Sequence, residues 1–384
     1  MSHAALAQLT QKLAALRDDH LARRRSLLES PQGVRIRIDG RELLSFCSND
    51  YLGLAASPEL IRAGHAALNE CGVGSGASHL ISGHHAAHHA LETAFAQFVR
   101  KPAALLFSCG YMANLGVLDA LMGRHDEVFA DRLNHASLND AAQLCGAGFT
   151  RYHHADLARL EAQLACSVAK TKMIVSDLVF SMDGDIAPVD ALLDLAERYD
   201  AWLYLDDAHG FGVMNAGRGG MTERAAHSDR VIYLATLGKA AGVAGAAVAA
   251  EQTVIDWLIQ KSRPYIYTTA MPPMLAACLS ASLKEIAEGE ACRARLREHV
   301  TQLRAGLVDL RWKLLPSETP IQPLIVGDNA DALALSNALR VRGMLVPAIR
   351  TPTVPQGTAR LRITLSAAHS ADDVQQLIAA LHEI

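Results

Sequence analysis

No stretch of this chain is apolar for long enough to cross a bilayer. The longest run of small apolar residues, Ala240 to Ala250, falls well short of the roughly 18 residues that a span requires. Charge of one sign is also lacking: 36 Lys and Arg stand against 40 Asp and Glu, a net charge of −4 that offers no electrostatic footprint for nucleic acid. Nucleic acid and membrane are therefore excluded as partners. The seven cysteines (Cys47, Cys71, Cys109, Cys145, Cys166, Cys278 and Cys292) form no C-x-x-C pair and are odd in number, which argues against a disulfide framework and a zinc site and fits a reducing cytoplasm. The N-terminus has no uninterrupted apolar core of the kind a signal peptide needs. Aromatics make up only 5% of the chain, yet half its residues are apolar, enough for a soluble protein of two or three domains with a sizeable core.

What is present is a regular alternation. "AALLFSCG", "MIVSDLVFS", "AWLYLDDAHG", "VIYLATLGK" and "AGAAVAA" read as strands separated by helical periodicity, which predicts an α/β fold with a largely parallel sheet and helices on both faces. Leu6, Leu9, Leu13 and Leu16 recur at helical spacing and predict an amphipathic N-terminal helix. Beyond "TTAMPP" a long helical stretch leads to about Val308. "IQPLIVGDN" and "ARLRITLS" follow and alternate like strands with one exposed face. Ser370 with Asp373 predicts the cap of a last helix that presents Val374, Leu377, Ile378 and Leu381 on one side. The expected division is an N-terminal helix and strand segment over 1–52, a large domain over 53–275 and a small C-terminal α/β domain over 276–384.

In an open parallel sheet, chemistry gathers at the carboxyl ends of the strands, and the polar residues of this chain cluster there. Asp206, Asp207 and His209 at the end of one strand could be a metal site or an acid/base pair, but taken alone they read first as ordinary strand-end polarity. Lys239, set among alanines and glycines at the end of another, narrows the choice. A desolvated lysine beside a buried carboxylate is what pyridoxal phosphate requires: a neutral amine to bind the cofactor, and an anion to keep its ring nitrogen protonated. "FSCGYMANLG" supplies a turn and a helix start that suit a phosphate but by themselves read as an ordinary βα turn. "GVGSGASHLISG" follows a helix and not a strand, which argues against a dinucleotide fingerprint. In "HHAAHH", His84 with His88 and His85 with His89 have the i,i+4 spacing of metal ligands, but no matching third ligand follows, and no metal is expected. Arg360, Arg362 and Thr364 share one strand face, where an arginine could grip a carboxylate or form a surface ion pair.

"SNDYLGL", "GSGAS", "DRLNHASL", "FSMDGDIAP", "DDAHGFGVMNAGRGG", "TLGKAAGVAG", "TTAMPP" and "RTPTVPQGTARLRITLSAAH", in this order over nearly the whole chain, resemble the α-oxoamine synthases. These are fold-type-I pyridoxal phosphate enzymes that condense an amino acid with an acyl-CoA and lose carbon dioxide. "ARRRS", "IQPLIVGDNADAL" and "VPAIRTPTVPQG" are most similar to the branch of biotin biosynthesis that joins L-alanine to a pimeloyl thioester. The alternatives are the glycine-using branches, glycine C-acetyltransferase and 5-aminolevulinate synthase. The resemblance implies that Lys239 is the Schiff-base lysine and Asp206 the partner of the ring nitrogen. It implies that His209 and Ser181 bind the phenolic oxygen and that His135 stacks on the ring. Gly110, Tyr111 and Thr236 would hold the phosphate, and Thr268 and Thr269 would reach the phosphate of the neighbouring subunit in a homodimer. Asn49 and Arg362 would take the amino acid's carboxylate, and Arg23 and Thr353 the acyl substrate, which could arrive on coenzyme A or on an acyl carrier protein. Relatives usually have glycine where this chain has Ala240, so a strained positive φ at Ala240 is expected.

Overall fold

The computed structural model describes residues 3–19 and 21–384. The chain forms two compact units, one of residues 49–181 and 185–294, the other of residues 1–48, 182–184 and 295–384.

The larger unit is built on a seven-stranded sheet. Its strands run in the order Ala103–Phe107, Ala246–Ala250, Val231–Thr236, Ala201–Asp206, Lys172–Asp177, Glu127–Asp131 and Gly148–Tyr152. Ala246–Ala250 alone runs antiparallel to its neighbours. Every residue of Val231–Ala235 and of Ala246–Ala250 is buried, which is why these strands read as continuous apolar runs without alternation. Helices such as Gly110–Leu121 and Ala136–Leu144 cover the sheet through a core that includes Val117, Leu118, Leu138, Ile232 and Val248. The parallel strands all deliver their carboxyl ends to one edge, so that Ser108, Arg132, Leu178, Asp207 and Leu237 begin the loops there.

The smaller unit contains a four-stranded sheet ordered Lys313–Leu314, Ile321–Gly327, Ala359–Thr364 and Ala348–Ile349, and a three-stranded one of Arg35–Ile38, Arg41–Ser45 and Met344–Leu345. The strand expected to show one exposed face, Ala359–Thr364, is buried along its entire length. Its polar face is covered because Arg360 is paired with Asp183, so arginine here marks an internal ion pair and not solvent. The last helix, Ala371–Glu383, starts as expected: Ser370 Oγ accepts from Asp373 N–H at 3.1 Å and Asp373 Oδ2 accepts from Ser370 N–H at 2.9 Å. The N-terminal helix runs from Ala4 to Asp18 with its four leucines exposed. Among the described residues no helix is long and apolar enough to cross a membrane.

Candidate active site

The carboxyl edge of the large sheet collects Gly110, His135, Asp177, Asp206, His209, Thr236 and Lys239. Lys239 lies in the loop joining Val231–Thr236 to Ala246–Ala250, held by Leu237 N–H to Gly245 O at 2.9 Å and Gly242 N–H to Lys239 O at 2.8 Å. The positive φ of this turn falls on Gly242, at 72°, where a β-carbon would meet Ala55 N at 2.6 Å. Ala240 is not among the residues with positive φ, so the strain expected there is absent. The loop needs glycine three residues after the lysine and accepts alanine directly after it.

Lys239 Nζ is 2.8 Å from His209 Nε2. The other ring nitrogen of His209, Nδ1, lies 2.7 Å from the Tyr51 hydroxyl. Tyr51 in turn donates to Asn49 Oδ1 at 3.2 Å. The result is a hydrogen-bonded chain from lysine through imidazole and phenol to an amide oxygen.

Asp206 is buried, its Oδ1 accepting from Ala208 N–H at 3.0 Å and its Oδ2 from Asn114 Nδ2 at 2.8 Å. The same Asn114 nitrogen donates to Ser137 Oγ at 2.8 Å, and Asn114 Oδ1 accepts from Tyr204 at 2.6 Å. Asp177 is the register partner of Asp206 on the neighbouring strand. Burial, reinforced by the Asp206 charge, pushes its carboxyl well above the usual carboxylate range, even though Asp177 Oδ2 accepts from His135 N–H at 2.6 Å. Two buried carboxyl groups on adjacent strand ends create a strong local demand for a cation. Asp207, one residue on, is turned to structural use: its Oδ2 accepts from Tyr233 at 2.7 Å and from Gly220 N–H at 2.8 Å, and burial raises it to about 7.

His135 caps the Ala136–Leu144 helix. Its Nδ1 accepts from Ser137 N–H at 3.2 Å and lies 2.7 Å from Ser137 Oγ, which leaves the ring proton on Nε2. Burial lowers its pKa, Asp206 opposes that shift and Lys239 assists it, so the ring is neutral at pH 7. Gly110 opens the Gly110–Leu121 helix, whose first N–H groups have no intrahelical partner. A β-carbon on Gly110 would come within 2.6 Å of Thr236 Oγ1, so the missing side chain leaves a cradle between a helix start and a hydroxyl. That cradle suits a phosphate, and the demand for a cation at Asp206 and Asp177 suits a protonated pyridine ring. The residues present therefore fit pyridoxal phosphate.

Of the other residues singled out from sequence, Tyr111 is partly exposed and its hydroxyl donates to Asp140, which leaves its backbone N–H at the cradle. Ser181 lies on the loop after Lys172–Asp177. Thr269 forms a bridge with Ser78, next to the bond from Ala270 N–H to Ala77 O at 3.0 Å, and Thr268 precedes it. Arg362, Thr353 and Arg23 belong to the smaller unit. Arg362 is buried on its strand, where its charge helps to restrain the Cys47 thiol that burial pushes up, while Thr353 and Arg23 are exposed. Sequence reasoning missed Asn114, Ser137, Asp177, Tyr204 and Tyr51. Asn114, Ser137, Asp177 and Tyr204 show in the sequence as polar groups within helices and strands that are otherwise apolar, and Tyr51 lies in the turn of "SNDYLGL".

The family described as aminotransferase class I and II matches residues 41–381. The 8-amino-7-oxononanoate synthase of Thiobacillus denitrificans is 69% identical over 385 residues, covering 100% of both chains. The serine palmitoyltransferase of Sphingomonas wittichii superposes with a TM-score of 0.92 at 29% identity, over 98% of this chain and 96% of that one. A high-resolution structure of SPT with PLP has the same TM-score, 0.92, at 27% identity over 99% of this chain and 97% of that one. The chain belongs to the class I and II aminotransferase family and, within it, to the 8-amino-7-oxononanoate synthases.

Proposed function

We propose that the carboxyl edge of the large sheet is the pyridoxal phosphate site of an enzyme that condenses L-alanine with a pimeloyl thioester, releasing carbon dioxide and making 8-amino-7-oxononanoate for biotin. The chain is a pyridoxal phosphate-dependent acyltransferase. The observation that carries this assignment is the contact of Lys239 with His209 at the same strand ends that hold Asp206 and Asp177.

In this reading Lys239 holds the cofactor through its ε-amine. Asp206, fixed by Asn114, faces the ring nitrogen, and His209 and Ser181 bind the ring oxygen. Gly110, Tyr111 and Thr236 receive the phosphate, and His135 lies on the ring. Bound there, the cofactor supplies an electron sink for negative charge at the α-carbon of alanine. Lys239 Nζ takes the α-proton. His135 is neutral with its proton on Nε2, so it helps the acyl transfer as a hydrogen-bond donor to the thioester oxygen, not as a cation. We assign the alanine carboxylate to Asn49 and Arg362 and the acyl substrate to Arg23 and Thr353. Segment 53–275 is the cofactor-binding domain of this scheme. The working form is a cytoplasmic homodimer in which Thr268 and Thr269 serve the partner's phosphate, and coenzyme A or an acyl carrier protein delivers the pimeloyl group.

Free-thiol release by the cofactor-loaded protein tests the reading. L-alanine with pimeloyl-CoA is expected to release thiol and yield the aminoketone, while glycine with acetyl-CoA or succinyl-CoA does not. Preference for either glycine pair would overturn the substrate assignment and leave the cofactor site standing.

A further inference from the structure

The histidine-rich turn before the Ala86–Val99 helix carries a second cluster, none of whose members has a role in the condensation. Spacing alone pairs His84 with His88 and His85 with His89. Ligating atoms of His79, His84 and His88 do lie within 4.8 Å of one another, but His88 has no ring nitrogen to offer. His88 is buried with both ring nitrogens engaged: Nδ1 accepts from His85 N–H at 3.0 Å and Nε2 donates to Met271 O at 2.8 Å. His85 Nδ1 caps the helix by accepting from Ala87 N–H at 3.2 Å. What assembles instead is His84, His89 and Glu92, each with a ligating atom within 4.8 Å of the others.

Glu92 lies three residues beyond His89 on the same helix face. Its Oε2 faces His84 Nε2 at 3.9 Å, and its Oε1 accepts from Leu106 N–H at 3.0 Å. His84 Nδ1 is 3.0 Å from His79 Nδ1, and the His79 ring stacks on Tyr265 with centroids 4.8 Å apart. Carboxylate and imidazole are thus each oriented by a partner outside the cluster, as metal ligands generally are. A cavity of about 420 Å³, lined by His79, His84, His89, Glu92 and Tyr265 among others, opens beside them and leaves room for water.

We propose that His84, His89 and Glu92 bind a divalent transition metal of the zinc class, with the remaining coordination positions open to water from the cavity. Two imidazoles and one carboxylate suit zinc and disfavour calcium or magnesium, which take oxygen ligands. Tetrahedral ligand atoms about 2.1 Å from zinc lie about 3.4 Å apart, so rotation of two exposed imidazoles closes the cluster. The ion ties the turn His79–Gly83 to the helix that follows it.

The test is calorimetric titration of Zn²⁺ into the full, cofactor-loaded protein under reducing conditions. It compares the parent with His84→Ala, His89→Ala and Glu92→Gln, and with His125→Ala as a remote control. His84 and His89 are exposed, and Gln keeps the acceptor for Leu106, so circular dichroism should report intact folds. The expected result is one ion per chain in parent and control, with affinity at least about tenfold weaker in each cluster variant. Co²⁺ should give visible ligand-field absorption in the parent that the cluster variants lose. Equal zinc affinity in all five proteins, or none in the parent, would overturn the proposal.

Discussion

Lys101 and Lys239 stand at opposite edges of the same seven-stranded sheet. Lys101 precedes the amino end of Ala103–Phe107, where it is only 5% exposed and donates to Ser228 O at 2.7 Å and Ala225 O at 3.2 Å. Burial lowers its pKa to about 8. Lys239 lies past the carboxyl end of Val231–Thr236, is less buried, and faces an imidazole at 2.8 Å. A depressed pKa therefore does not by itself mark the reactive lysine. Lys101 is fixed by carbonyl oxygens that only accept, whereas Lys239 is set among groups that can themselves gain, lose or orient a proton.

The largest expected effect separates the two directly. Lys239→Ala should lower thiol release at least about 10³-fold, the scale of losing covalent anchor and base together, whereas Lys101→Met should retain turnover near that of the parent. Comparable losses in both variants would break the comparison.

Lys101 should be visible instead in stability. Its native pKa of about 8 lies below the ordinary 10.5, so between these values the unfolded chain binds more protons and stability rises with pH. Lys101→Met should remove roughly 2 kcal/mol of that rise, measured by urea unfolding at pH 7.5 and pH 10.

His154 sharpens the contrast with the opposite sign. It lies 3.1 Å from Asp131 and 2.7 Å from Asp185, and these bonds raise its pKa from 6.5 to about 10. Its contribution is complete below pH 6.5 and is lost as pH rises toward 10, so His154→Gln should cost about 2 kcal/mol at pH 6 and little at pH 10. His135, at the same edge, is neutral because desolvation outweighs its neighbours.

The smallest effect concerns the phosphate cradle. Thr236→Val keeps the shape and removes one hydroxyl, so cofactor affinity measured by absorbance titration should fall about tenfold, or about 1.4 kcal/mol.

The strands and the last helix were legible because their signals are local: continuous apolar runs, and a cap whose two residues lie three apart. Lys239, Asp206 and Gly110 were legible as strand-end and helix-start residues. Asn114 was not, because its bond to Asp206 joins residues 92 apart in sequence and depends on the order of strands in the sheet. The burial of Ala359–Thr364 escaped for a related reason: alternation of arginine with leucine suggests solvent until Asp183, 177 residues away, is seen to meet Arg360. For the histidines, i,i+4 spacing offers pairs without a third ligand, and Glu92, which stands with His84 and His89, falls outside it. The i,i+4 rule assumes free rings, and His85 and His88 are already engaged by the helix end and by Met271.

Borohydride reduction of the cofactor-loaded protein, followed by peptide mapping, tests the central assignment most directly. The account predicts reduced cofactor fixed to the peptide containing Lys239 and to no other. Fixation at Lys101, or the absence of any covalent label, would contradict it.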